Sequence, residues 1–179
     1  MKTQPETDPV CCPKVDPKQW QDKIFDWENK PFVKDSVFTF FFIPLNFGQV
    51  MRRLDKKVTR ADANMPDFMC LSDHTSPWNM DVYLAVDKDV PEGKNTTLSG
   101  KFYSRVYEGP FKNTSQWCKD HTVAAKDKGF NVKKWLMWYT TCPKCAKKYG
   151  KNYVVIFSQV ETTDNKKPSA QQVYETAGT

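Results

Sequence analysis

Several signals that would place a protein in or beyond a membrane are missing from this sequence. The stretch "MKTQPETDPVCCPK" contains no apolar h-region, so no signal peptide is expected. No apolar run approaches the roughly 20 residues of a membrane-spanning helix. The longest, "VFTFFFIPL", has the length of a strand. Six cysteines in 179 residues are too sparse for a secreted disulfide scaffold. The expected compartment is therefore the cytoplasm, with no membrane partner. The basic stretch "MRRLDKKVTR" lacks interleaved aromatics and any nucleic-acid motif, so it reads as the solvated face of a helix and nucleic acid is not expected either. No Gly-x-Ser-x-Gly elbow occurs, and no second Cys-x-x-Cys accompanies Cys142 and Cys145.

Rings are what the sequence has in excess. Aromatic residues make up 14% of the chain, more than a minimal core needs, which points to a surface or cavity lined by them. The net charge of +6 is spread among interleaved acids and bases, the pattern of a soluble surface.

Residues 1–35 are rich in proline and charge, with Trp20, Phe25, Trp27 and Phe32 as apolar anchors, and read as an arm packed onto a domain. Residues 36–160 read as one domain, and the polar tail 161–179 as mobile. Within the domain the pattern repeats, over 36–90 and 97–160. Each copy runs strand, proline break, helix, strand, strand. In the first, Phe47, Val50, Met51, Leu54 and Val58 fall on one helix face. In the second, Trp117, Cys118, His121 and Ala125 do so, with Gly129 as a stop. Asn46 with Gln49, and Asn113 with Gln116, share the spacing of a capping box. The expected fold is α+β, a duplicated strand-helix-strand-strand unit with pseudo-twofold symmetry and a groove between the halves.

The run "RVYEGPFKNTSQW…KG…WLMWYTT…NYVVIFSQV" resembles the GyrI-like (gyrase-inhibitory-protein-like) small-molecule-binding family over roughly residues 36 to 160. The shared features are a strand ending in an aromatic, Gly109-Pro110-aromatic, a helix, Gly129 and a closing hairpin. The segments "PLNFG", "SPWNMD" and "TTCPKCAKKYGKNYVV" are similar to bacterial proteins carried as hydrolases, a label that speaks to kinship more than to a known reaction. The resemblance implies a central groove for amphipathic or cationic small molecules, with hydrolysis in one branch. Many members carry a groove-facing glutamate in the last strand, where this sequence has Val155. Overlaying the two copies sets Asp81 opposite Val155, so the acid is expected at the related position of the first copy.

Asp81 interrupts an apolar strand, and a half-buried acid there has a raised pKa unless paired. It could meet a cation or act as a general base, or face water at a strand end. Glu108 is a second candidate carboxylate at the groove mouth, or a solvated strand-end charge. Trp78, Tyr83, Tyr107, Trp135, Trp138, Tyr139, Tyr153 and Phe157 are the candidate ligand-binding rings, each of which could equally be core. In "LSDHTSPW" the Ser, Asp and His read as turn residues rather than a triad, leaving His74 as a minor acid/base candidate. Cys142-Pro143-Lys144-Cys145 reads foremost as a bare hairpin tip, next as half of a zinc site completed by Cys11 and Cys12, and last as a redox pair. No cofactor is required by this reading, and zinc is the metal the cysteines would take. A small molecule is the expected partner; no protein partner can be named. A zinc-stabilised interaction module is the alternative function.

Overall fold

The computed structural model describes residues 11–163. The chain runs β1 (Lys23–Phe40), β2 (Ile43–Pro44), α1 (Phe47–Arg60), β3 (Cys70–Ser76), β4 (Asn79–Ala85), β5 (Lys94–Glu108), α2 (Thr114–Asp127), β6 (Phe130–Tyr139), α3 (Pro143–Tyr149) and β7 (Tyr153–Thr162). Seven antiparallel strands follow the order β2-β1-β4-β3-β6-β7-β5, and β1 also pairs with β5. Six strands thus close into a ring, with β2 hanging from its edge. Strands β1-β4-β3 and β5-β7-β6 have the same internal order, and they meet at β1–β5 and at β3–β6. The first junction is long, from Lys23↔Ser104 to Lys34↔Lys94. The second has only Leu71↔Trp138 and Ser72↔Met137.

Period-two alternation sends each strand's side chains to opposite faces. In β4, Met80, Val82 and Leu84 pack outward under Val50, Leu54 and Val58 of α1, while Tyr83 and Ala85 join an inner aromatic cluster. In β7, Val154 and Ile156 meet Trp117 of α2, while Val155 and Phe157 point inward. The inner cluster also holds Trp20, Trp27, Phe32, Phe102 and Trp138. Trp27 and Phe102 have centroids 4.2 Å apart, and Trp20 meets Trp138 edge-on at 5.1 Å.

Both helices form where the apolar spacing places them. The caps differ: neither Asn46 nor Asn113 makes a side-chain cap bond. Asn46 Oδ1 instead accepts the Phe38 N–H at 2.8 Å, tying the start of α1 to β1. Gly129 does follow α2 in the left-handed region, at φ 79°.

Two further boundaries differ from the sequence reading. Strand β1 begins at Lys23, inside the stretch read as an arm. A bulge between Trp27 and Lys30, Asn29 at φ 48° and Pro31 break its pattern. Residues 142–149 are not a hairpin tip. Pro143 occupies the first turn of α3, Cys142 Sγ accepts the Cys145 N–H, and Gly150 at φ 68° ends the helix. In the tail, Glu161 and Thr162 complete β7; residues 164–179, and 1–10 of the arm, lie outside the described residues.

Candidate functional site

Charged side chains cluster on the inner face around β4. Asp81 lies on β4 beside Tyr83, and its cross-strand neighbour on β3 is Asp73. Register-paired residues share a face, so two carboxylates stand side by side. Each holds a lysine: Lys34 Nζ is 2.8 Å from Asp81, and Lys134 Nζ is 2.7 Å from Asp73. Both ammonium groups also lie over the Tyr83 ring, 5.3 and 5.6 Å from its centroid. Ser36 Oγ and Asn79 Nδ2 donate to Asp81 Oδ1 at 2.9 and 3.1 Å. Burial alone would raise the Asp81 carboxyl, but the Lys34 ammonium and these donors hold it below the usual range. Lys34 is raised in turn, chiefly by Asp81. Asp81 is therefore a fixed anion at neutral pH and a poor general base.

Next to this cluster lies the seam between β3 and β6. Beyond their two paired positions the strands part, and a cleft of about 270 Å³ is lined by Ser72, Asp73, His74, Lys134, Trp135 and Met137, with Lys133 at its margin. Asp73 and Lys134 thus belong both to the cleft and to the charged group around Tyr83. Burial lowers the His74 pKa, partly offset by the Asp73 carboxylate, so its imidazole is neutral at pH 7. Its Nδ1 is buried without a hydrogen-bond partner. A neutral imidazole, two carboxylates and ring faces can bind a cation or accept a proton.

The sequence-predicted residues divide among several places. Asp81, Tyr83, Trp138 and Phe157 share the inner face, and Trp135, 42% exposed, lines the cleft. Tyr107 lies under α2, stacked on Trp117 at 5.6 Å and donating to Asp120 at 2.9 Å. Tyr139 meets Phe111 edge-on at 5.1 Å. Trp78 is exposed on the far side of the β3–β4 turn, against Phe40 and Phe41. Glu108 is exposed at the end of β5, 3.8 Å from Lys151, whose ammonium also sits over Tyr153. These groups do not form one cavity. Sequence reasoning missed Lys34, Asp73 and Lys134. The signal for Asp73 was its parity with Leu71, which places both on the inner face.

The four cysteines do meet. Cys11 Sγ lies 3.8, 3.5 and 3.6 Å from the sulfurs of Cys12, Cys142 and Cys145, and all four fall within 4.8 Å of one another. The Cys142 N–H donates to Cys12 Sγ at 3.3 Å. Burial would raise Cys145, but the backbone N–H groups of Cys12 and Cys11 outweigh it and bring the thiol down to about 7. Tyr149 Oη donates to the Cys12 carbonyl at 2.6 Å, so the arm is tied to α3.

The sequence profile of a family described as bacterial hydrolase matches residues 2–160. No curated protein matches the chain. Among solved structures it is similar to SAV2435, determined bound to tetraphenylphosphonium, with 15% identity and a TM-score of 0.47 over 79% of this chain and 94% of that one.

Proposed function

Because this chain belongs to the bacterial hydrolase family, whose name fixes kinship rather than a reaction, we propose its function from the seam: it binds an amphipathic small molecule with a cationic group. The observation that carries this is the pair of ion pairs around Tyr83 behind an open cleft. The Lys134 side chain is 39% exposed and can swing into water. An incoming cation would take its place on Asp73 and against Tyr83, with its apolar part on Trp135 and Met137. Rings beside a carboxylate stabilise a flat or quaternary cation both by charge and by cation–π attraction. Hydrolysis at this site would fall to His74, the neutral base of the cleft, with Asp81 acting only as a fixed charge. The test is a panel of aromatic quaternary cations followed by thermal shift. Binding should raise Tm, and Asp73→Asn should weaken it about tenfold, the value of one charge-assisted contact. A panel that leaves Tm unchanged, or a variant that binds equally well, would reject the reading.

An independent observation supports a second, structural reading. Zinc–sulfur bonds of about 2.3 Å in a tetrahedron put the sulfurs about 3.8 Å apart. The Cys11 contacts of 3.5–3.8 Å fit that edge, and they are far longer than a disulfide of about 2.05 Å. Backbone N–H groups already donate to Cys12 and Cys142, as the outer shell of such a site requires. We assign a zinc ion to Cys11, Cys12, Cys142 and Cys145, fastening the arm to α3. Protein prepared reduced and without chelator should carry about one zinc per chain, and chelator should lower Tm. Metal-free protein with an unchanged Tm would exclude it.

A further inference from the structure

The hairpin joining β1 to β2 presents large apolar side chains to solvent. Phe40, Phe41, Phe42, Ile43 and Leu45 are each half-exposed or more, with Phe41 at 61% and Ile43 at 62%, and Trp78 stands beside them. Phe40, Phe41 and Trp78 pack on one another with centroids 4.8–5.5 Å apart, so the tip is an ordered cluster of rings. The two-residue turn places both Phe41 and Phe42 in the left-handed region, at φ 47° and 68°. Such a turn favours Asn-Gly, and phenylalanine is strained at both places. Stability alone would not select this pair.

What faces the tip can be read from the neighbouring helix. Helix α1 starts two residues after Leu45, and Val50, Leu54 and Val58 turn inward. Its outer face carries Arg52, Arg53, Lys56, Lys57 and Arg60. Arg53 pairs with Asp35 and Arg60 with Glu92, whereas Arg52, Lys56 and Lys57 have no ion pair among the described residues. A protruding apolar tip beside unpaired cations complements a surface that is apolar beneath and anionic above. We propose that this face docks on a lipid bilayer bearing anionic headgroups, with the tip in the interface and α1 against the phosphates. The mode is interfacial; no described helix is long and apolar enough to span a membrane. A second copy of the chain fits less well, because pairing two such faces would bring like charges together. The rings of the tip are each about half-exposed or more, unlike the enclosed lining of a small-molecule site.

Co-sedimentation with vesicles tests the inference, using phosphatidylcholine mixed in equal parts with phosphatidylglycerol, and phosphatidylcholine alone. The chain should sediment with the mixed vesicles and release with salt, while largely staying free of the neutral ones. The triple variant Phe40→Ser, Phe41→Asn, Ile43→Thr should bind at least about tenfold more weakly while melting no lower than the parent. Each of Arg52→Gln and Lys56→Gln should cost about fivefold. Protein that ignores both vesicles overturns the inference, as does equal binding by the triple variant. So does a dimer that the triple variant dissolves in the absence of any vesicle binding. Cation binding at the seam is measured separately on the same variants, so a failure here leaves that reading standing.

Discussion

The two halves of the molecule share a strand order within the sheet and invert the placement of their polar groups. Under α1 the contact is mainly apolar, with Val50, Leu54 and Val58 meeting Val33, Val37, Met80, Val82 and Leu84, and the Arg53–Asp35 ion pair lies beside it. Under α2 it is a polar network. His121 Nε2 meets Ser158 Oγ at 2.8 Å, Tyr103 Oη donates to Asp22, Tyr107 Oη donates to Asp120, and Arg105 reaches both acids. On the inner face the polarity reverses, with Asp73 and Asp81 in the first half opposite Trp138, Val155 and Phe157 in the second. The network under α2 runs from the buried His121 out to solvent at its acids, Asp22 and Asp120. In the first half Asp73 and Asp81 are each paired with a lysine, and Asp73 with Lys134 lines a cleft. What sets the first pair of acids apart is the cleft beside Asp73, more than charge itself.

Three perturbations would sharpen this contrast. Leu54 is fully buried under α1, so Leu54→Ala should cost about 3 kcal/mol in denaturant unfolding, by the same amount at every pH. Under α2 the dependence on pH is the signature. Burial, and then the Arg105 guanidinium, lower His121 to about 4 against the partial opposition of Asp120 and Asp22. The unfolded chain, with an ordinary imidazole, binds the proton first. Stability is therefore full above pH 6.5 and falls as pH drops toward 4, by about 3 kcal/mol in all. Asp22, lowered by Tyr103 and Arg105 against its burial, adds loss in the same direction at lower pH. His121→Phe should flatten the His121 part of the profile; an unchanged profile would remove the imidazole from the account. The smallest effect belongs to the hairpin. Replacing Phe41 and Phe42 by Asn-Gly should stabilise the chain by about 1 kcal/mol in the same unfolding experiment. Destabilisation would mean the rings pack as core.

Much of this was legible in residue spacing. The faces of α1 and α2 and the alternation of β4 follow from periods of 3.6 and 2, and Asp81 and Val155 each lie on the inner face. The overlay of "WNMDVYLAV" on "NYVVIFSQV" also pairs Tyr83 with Phe157, and both rings lie inside. Three things were hidden. Asp73 and His74 sit among Ser, Thr and Pro, which resemble a turn and mask the parity with Leu71 that the ladder to β4 makes plain. Lys34 was read as part of the arm, because Asn29 and Pro31 mask the start of β1. Helix α3 is too short for a period, although Pro143 at its first turn and Gly150 at its end mark it in hindsight. The partnership of Cys11 and Cys12 with Cys142 and Cys145, about 130 residues apart in the chain, was by contrast offered by the sequence, as the completion of a zinc site, and the four sulfurs do meet.

The central claim is that Asp73 and Lys134 form the exchangeable ion pair of a cation-binding cleft. The most direct measurement is a titration of an aromatic quaternary cation into the parent chain and into Asp73→Asn, read by the fluorescence of Trp135 and its neighbours. The account predicts saturable quenching in the parent and about tenfold weaker binding in the variant, with Lys134→Met binding at least as tightly as the parent. Equal affinity in parent and Asp73→Asn would contradict it.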